Sequence, residues 1–351
     1  MLHLDRLEKG FSQRYPHQYI TIDSHTQGEP TRLLIGSTGD LPGTTIKEKR
    51  DFFAARYDNV RMLLTREPRG HRDMFAAVVT EPVSPEAQFG LIYMDARRYP
   101  YLCGHATIGA VTTLIETGAI EVKEGEGIVG VDTPSGLLLA HTKTAGGRVL
   151  SVGIDMPPSF VFRMDCPLEV PGFGPVTVDL VCVGGFFAMV SAASIAIDLV
   201  VENSRQLIDL GMAIIETANR ELQVYHPERP EVNTIDVTEF YAENTKYQQG
   251  RSGTSVVVYG ESHMDRSPCG TGTTAKMTLL HHKGGLGKGE LYRNESPLGT
   301  FFEGRIVREL TIGDTGEFSG IIGQVRGSAT ITGYHRFVLD AGDPFQQGFL
   351  L

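Results

Sequence analysis

Two segments of this 351-residue chain, CGHATIGAVTTLIETG starting at Cys103 and CGTGTTAKMTLLHHKG starting at Cys269, superimpose without a gap. They agree at Cys103/Cys269, Gly104/Gly270, Thr107/Thr273, Thr112/Thr278, Leu114/Leu280 and Gly118/Gly284. Each follows a strand-like run and closes on a glycine, the residue that most easily adopts the left-handed conformation ending a helix. Both are therefore expected to be helices that begin at a cysteine. Because the copies lie in different halves of the chain, the simplest account is an internal duplication in which each half supplies one strand–cysteine–helix unit. The length fits either one large domain or two of about 150 residues.

The rest of the chain is rich in short apolar runs separated by glycine. Examples are Tyr19-Ile20-Thr21-Ile22, Gly90-Leu91-Ile92-Tyr93-Met94 and Thr254 to Tyr259, and they predict many short strands with tight turns. Helical periodicity is less frequent. It marks Ile46 to Tyr57 after the cap candidate Thr45, and Ser204 to Glu221, where Leu207, Leu210, Ile214 and Ala218 share one face. The expected class is α/β or α+β, with strand dominant.

Composition narrows the partners. A formal charge of −10 with no Lys/Arg cluster disfavours capture of nucleic acid or an anionic membrane, so a small molecule is the better expectation. No apolar run reaches the roughly 20 residues of a membrane span, and the opening MLHLDRLEKGFSQRYP is charged where a secretory signal should be apolar. A cytoplasmic location is the resulting expectation. The four cysteines, Cys103, Cys166, Cys182 and Cys269, show no CxxC spacing, so neither a zinc cage nor a disulfide framework is suggested. No GxGxxG after a first strand, no GxxxxGK[ST] and no HExxH points to a nucleotide, phosphate or zinc site. No cofactor and no metal are expected.

A cysteine at the first turn of a helix sits beside unpaired N–H groups and the positive end of the helix dipole, which favour the thiolate. The ordinary thiol pKa of about 8.5 is then expected to fall towards neutrality. The same N–H groups suit a carboxylate, and a following glycine lets a ligand approach the backbone. Two such sites facing each other would place one sulfur on each side of an amino-acid α-carbon. One thiolate would remove the proton and the opposite thiol would return one to the other face, inverting configuration. Pattern alone leaves a second possibility open, that Cys103 and Cys269 are small core residues, as Cys166 and Cys182 are expected to be.

The stretches DRSPCGTGTTAKM from Asp265 to Met277 and LCGHATIGA from Leu102 to Ala110 resemble the paired signature of the proline racemase family, which comprises proline racemases, 4-hydroxyproline epimerases and trans-3-hydroxyproline dehydratases. DSHTQGEPTR near Asp23, EPRGHRDMF near Glu67, GGFFAMVSAAS near Gly184, NESPLGTFFEGRI near Asn294 and the C-terminal ITGYHRFVLDAGDPFQQGFLL carry the resemblance through nearly the whole chain. It implies the diaminopimelate epimerase-like fold: two pseudo-symmetric domains, each a strand-rich barrel around a central helix. The expected division is 1–165 and 166–334, with 335–351 returning to the first domain. The resemblance also implies Cys103 and Cys269 as the acid/base pair. Gly104, His105 and Ala106 on one helix, with Gly270 and Thr271 on the other, would hold the substrate carboxylate. Asp265 and His105 would orient the ring nitrogen, and a homodimer is implied.

Cysteine at the first motif, where the family's dehydratases carry Ser or Thr, argues for racemisation or epimerisation. Phe75 matches an apolar ring contact of proline racemases. Tyr259 stands where phenylalanine is usual, and its hydroxyl either points away or meets a substrate 4-hydroxyl. His226 either joins the polar shell or serves a turn. Ala106 replaces a common glycine, and Arg97 and Arg98 are either solvated or lie at the cleft mouth. The polar run His25 to Glu29 is either a turn or part of the site. The expected activity is cofactor-independent proline racemisation, with 4-hydroxyproline 2-epimerisation as the alternative. A non-catalytic amino-acid-binding protein is the competing class.

Overall fold

The computed structural model describes residues 6–36, 39–244 and 250–351. The chain divides into two compact units, one made of Met1–Thr26, Pro30–Leu150 and Ala329–Leu351, the other of Gln27–Glu29 and Ser151–Ser328. In chain order the first unit contains α1 (Leu7–Arg14), β1 (Gln18–Thr26), β2 (Glu29–Leu34), α2 (Ile46–Thr65), β3 (Phe75–Thr80), β4 (Phe89–Asp95), α3 (Gly104–Glu116), β5 (Gly125–Thr133), β6 (Gly136–Ala145) and the start of β7 (Arg148–Asp155). The second contains β8 (Ser159–Val170), β9 (Gly174–Val183), β10 (Gly185–Ser191), α4 (Ser204–Glu221), β11 (Ile235–Asn244), β12 (Arg251–Tyr259), β13 (His263–Met264), α5 (Gly270–His282), β14 (Tyr292–Glu295), β15 (Phe301–Ile312) and β16 (Phe318–Gly327). Finally β17 (Ala329–Val338) rejoins the first unit, antiparallel to β1. The change of unit falls within β7: Arg148 pairs with Glu116 in the first unit, whereas Val152 to Asp155 pair with β16. Residue 165 lies inside β8.

Pairing in the second unit runs β15–β14–β12–β11–β10–β9–β8–β16 and returns to β15, a closed ring of strands. Its central helix α5 has nine consecutive buried residues, Gly272 to Leu280, and packs on β8, β9, β15 and β16. A helix buried on all sides has no polar face to offer water, so it belongs in the centre. Strand alternation then sorts the side chains. Val181, Val183, Phe187, Met189 and Val257 point to α5, while Leu180, Cys182, Phe186, Ala188, Val256 and Val258 point to the core under α4. Leu207, Leu210, Ile214 and Ala218 form the buried face of α4 as the periodicity predicts, each large side chain contributing about 1.5–3 kcal/mol.

The first unit repeats the scheme with the order β17–β1–β2–β3–β4–β5–β6. Its central helix α3 is buried from His105 to Leu114 and packs on β1, β3 and β17. On the other face of β3 and β4, Ala76, Val78, Ile92 and Met94 pack with Phe53, Val60 and Leu64 of α2. That helix starts where expected, with Thr45 Oγ1 accepting from the Glu48 amide at 3.1 Å. It does not end at Tyr57 but continues to Thr65, because Tyr57 leaves helical geometry (φ −127°, ψ 24°) and a second apolar segment resumes beyond it. Strands wrapped around a central helix, expected for both halves, are what the two units show. Among the described residues no helix is long and apolar enough to cross a membrane.

Candidate active site

Both cysteines stand at helix starts, and each unit builds its own surroundings for the sulfur. Cys103 is the N-cap of α3, in extended backbone at φ −150°. Its carbonyl accepts from the Thr107 amide at 3.1 Å and the Thr107 hydroxyl at 2.7 Å, and that hydroxyl lies 2.6 Å from the phenol of buried Tyr93. The cap is thus anchored to β4. The sulfur is half-buried, and Nδ1 of His105 lies 3.2 Å from it. Phe75 holds the imidazole edge-on with ring centroids 4.9 Å apart, and Thr26 donates to the His105 carbonyl at 2.7 Å. The structure therefore brings Phe75, Cys103, Gly104, His105 and Ala106 together around one helix start.

Cys269 caps α5 differently. It takes a left-handed conformation, φ +60°, unusual for a side chain with a Cβ. This turns the sulfur back to accept from the Gly272 amide at 3.4 Å, with the Thr271 hydroxyl also 3.4 Å away. The Cys269 amide donates to Ser267 Oγ at 3.1 Å, and Ser267 donates from both its amide and its hydroxyl to Asp265 Oδ1, each at 2.8 Å. Asp265 is itself buried, and its amide donates to the Val257 carbonyl at 2.9 Å. Burial, then the nearby charge of Glu29, push its carboxyl up to about 7. Asp265, Cys269, Gly270 and Thr271 thus share one wall, with half-buried Tyr259 packed against the same core cluster.

The expectation that a helix start lowers the thiol pKa fails for Cys269, whose thiol is pushed well above its ordinary value. Burial is the main cause, and the charge of Asp265 adds to it. The Gly272 amide and Thr271 hydroxyl work in the opposite direction. The magnitudes explain the outcome: a helix terminus contributes at most about 2 kcal/mol, roughly 1.5 pH units, whereas full burial shifts a group by up to about 3–5.

Three further residues complete this wall, Glu29 from the polar run and two without an expected role, His263 and Glu239. Glu29, fully buried, lies 3.1 Å from His263 Nε2 and accepts from the Arg266 amide at 2.8 Å. His263 in turn faces Tyr259 with ring centroids 4.5 Å apart. The polar run ending at Glu29 is therefore both things at once: Gln27 and Gly28 make a turn with positive φ, and Glu29 enters the Asp265 surroundings. Glu239, also fully buried, is the third.

His226 is not brought to Cys269. It lies in the turn after α4, where Nδ1 accepts from the Glu228 amide at 3.1 Å and the ring meets Phe160 edge-on at 5.4 Å. Phe160 belongs to the core under α4, on the opposite strand face from Cys269. Burial holds the imidazole below its ordinary pKa. Arg97 and Arg98 belong to a turn in which both amides donate to Asp95 Oδ1, at 2.7 and 2.8 Å. Cys166 and Cys182 are buried core residues, with burial raising Cys182 to about 12.

The proline racemase family model matches residues 21–350. The chain is 38% identical to a proline racemase of Clostridioides difficile, over 96% of this chain and 99% of that one. It is 37% identical to a 4-hydroxyproline 2-epimerase of Streptosporangium roseum, over 95% of this chain and 98% of the relative. The crystal structure of a hydroxyproline epimerase from Agrobacterium vitis with bound trans-4-hydroxy-L-proline superimposes with a TM-score of 0.84 at 27% identity, covering 96% of both chains. With the cysteine at each helix start in place and the match extending along nearly its full length, the chain belongs to the proline racemase family.

Proposed function

We propose that this protein is a cofactor-independent isomerase interconverting L- and D-proline, with Cys103 and Cys269 alternating as base and acid. The observation that carries this reading is a sulfur, not a hydroxyl, at both helix starts. In one direction a Cys103 or Cys269 thiolate takes the α-proton, and the electron pair passes onto the substrate carboxylate as an enediolate. The opposite thiol then gives its proton to the other face of the same carbon. The product has inverted configuration, and the sulfurs have exchanged protonation states.

The charge on the carboxylate is the main energetic obstacle. The first-turn amides of a helix have no intrahelical acceptor, so they can meet it as it develops. On α5 the Gly272 amide is directed to Sγ and the Thr273 amide to the Cys269 carbonyl, which supports a role for the Gly270 and Thr271 amides in holding the substrate. Gly104, His105 and Ala106 have the corresponding task on α3. Asp265 orients the ring nitrogen, and Phe75 packs against the ring.

The test is a side-by-side chiral assay of L-proline and trans-4-hydroxy-L-proline with enzyme dialysed against EDTA and reductant and given no pyridoxal phosphate. Turnover of proline supports the reading; activity that returns only with a metal or pyridoxal phosphate overturns it. A second reading, 4-hydroxyproline 2-epimerase, is favoured by a phenol at position 259, its ring packed on that of His263 at 4.5 Å. A pocket that binds the substrate hydroxyl rejects proline strongly, whereas an apolar one tolerates hydroxyproline with modest loss. The ratio of the two kcat/KM values separates them. Deuterium uptake at the α-carbon of bound ligand distinguishes either enzyme from a binding protein. A homodimer in the cytoplasm completes the proposal.

A further inference from the structure

The Cys269 unit contains a carboxyl group to which the mechanism gives no part. Glu239 lies on β11, fully buried, and neither oxygen has a hydrogen-bond partner among the described residues. The neighbouring Ser255 hydroxyl is directed instead to Asn294 Oδ1 at 3.1 Å. A Cβ placed on Gly272 would come within 3.0 Å of Glu239 Oε2, 2.8 Å of Val257 Cγ2 and 3.2 Å of Cys269 Cβ. The carboxyl therefore packs against the very residue whose amide donates to Cys269 Sγ.

Charged and titratable groups of several elements surround it. Asp265, which precedes α5, and Lys276 on α5 act on it, and it acts in turn on Cys269 at the α5 cap, Tyr241 on its own strand and Tyr292 on β14. Lys276, the single cation among them, is 3.7 Å from Glu243 and stands over the Tyr241 ring at 3.5 Å. Burial outweighs the opposing influence of the nearby Ser255 hydroxyl and the Lys276 charge and, with the charge of Asp265 added in the same direction, pushes the Glu239 carboxyl up to about 8. Its charge consequently arrives in the range where thiols ionise.

We infer that Glu239 is a positioning residue for Cys269: as the uncharged acid it packs beneath Gly272 and leaves the sulfur free to ionise, and as the carboxylate it opposes the thiolate. The inference rests on Cys269 acting as an acid/base group. It is tested without turnover, so its failure is distinguishable from failure of the proposed racemisation.

Alkylation of each cysteine is followed by peptide mass spectrometry from pH 6.5 to 10 in the wild type, Glu239→Gln and Glu239→Asp, with Cys103 as the internal control. At pH 9 Cys269 should react about threefold to tenfold faster in Glu239→Gln than in the wild type, a displacement of roughly 0.5–1 pH unit. At pH 7 the two should agree within about twofold, and Cys103 should not change. Glu239→Asp, which keeps the charge, should restore the alkaline lag. Superimposable Cys269 profiles in wild type and Glu239→Gln, or equal displacement by Gln and Asp, overturn the inference. Infrared spectra of wild-type enzyme labelled with 13C-glutamate give a check that needs no variant. A protonated glutamic-acid carbonyl should persist at pH 7 and disappear by pH 9.5, and its absence at pH 7 overturns the inference equally.

Discussion

Cys103 and Cys269 begin matching helices, yet their sulfurs live in different chemistry. The first is half-buried in extended backbone, with an imidazole nitrogen 3.2 Å away. The second is buried in left-handed backbone, held by a backbone amide and exposed to the charge of Asp265 and the influence of Glu239. The helix start is common to both and so cannot be the source of the difference. What differs is the residue two positions on, His105 against Thr271, and the acidic groups packed behind Cys269. A duplicated motif thus fixes where a sulfur goes, while its proton affinity is set by neighbours outside the matched positions.

The comparison breaks most completely if either sulfur proves dispensable. In Cys103→Ser and Cys269→Ser, racemisation should fall at least about 10³-fold, within the span attributed to one positioned acid or base. A hydroxyl is far too weak an acid to supply the base at neutral pH. Each variant should retain slow α-proton exchange with deuterated solvent for one enantiomer, and the two preferences should be opposite. An undiminished rate in either variant removes the two-thiol mechanism.

Reactivity at rest sharpens the contrast. At pH 8, Cys103 should be alkylated at least about tenfold faster than Cys269, since burial first, and then the charge of Asp265, hold the second thiol well above its ordinary range. His105→Gln should narrow that ratio by slowing Cys103 alone. Pyrrole-2-carboxylate, whose flat ring carbon resembles the transition state, should protect both while leaving Cys166 and Cys182 unaffected. Equal rates for Cys103 and Cys269 without ligand would show that their different surroundings have no chemical consequence.

The acidic wall behind Cys269 should also register in stability. Asp265 titrates near 7 in the native state against about 3.9 unfolded. Between those values the folded protein holds a proton that the unfolded chain has released, so this contribution is complete below about pH 4 and is lost as pH rises through 7. Asp265→Asn retains an acceptor for Ser267 and removes the titration. The Tm of the variant minus that of wild type should therefore rise from pH 4 to 7.5, by about 2–4 °C for each 1 kcal/mol of linkage. A difference independent of pH would place the native Asp265 pKa near its unfolded value.

Much of this architecture was legible because it is periodic or punctuated. Leu207, Leu210, Ile214 and Ala218 announce α4, and the cysteine and glycine at the ends of α3 and α5 announce those helices. The continuation of α2 past Tyr57 was not, because a single non-helical residue interrupts the phase of its apolar face. Glu239 and His263 were equally hidden, whereas Glu29 lay in a polar run that already pointed to either a turn or the site. A carboxylate inside a strand ordinarily signals a solvated face, and only the closing of strands around α5 reveals that Glu239 points inward. For His226 both a polar-shell and a turn role stood open in the sequence, since a histidine beside proline carries no mark of which strand face it will join.

The smallest expected effect tests the two helix starts position by position. Ala106 and Gly272 occupy the same place, three residues after their cysteines. Ala106 is already fully buried with its Cβ accommodated, whereas a Cβ on Gly272 would meet Val257 Cγ2 at 2.8 Å and Glu239 Oε2 at 3.0 Å. Exchanging them should therefore be asymmetric. Gly272→Ala should destabilise by about 1–3 kcal/mol through overpacking, and should also disturb the amide that meets Cys269 Sγ, lowering kcat more than it raises KM. Ala106→Gly should cost only about 1 kcal/mol from helix propensity and a small cavity, with kcat little altered. Denaturant titration of both variants decides the point. Equal losses would mean that the space beneath the two helix starts is alike, and that the difference between the sulfurs must arise from charge alone.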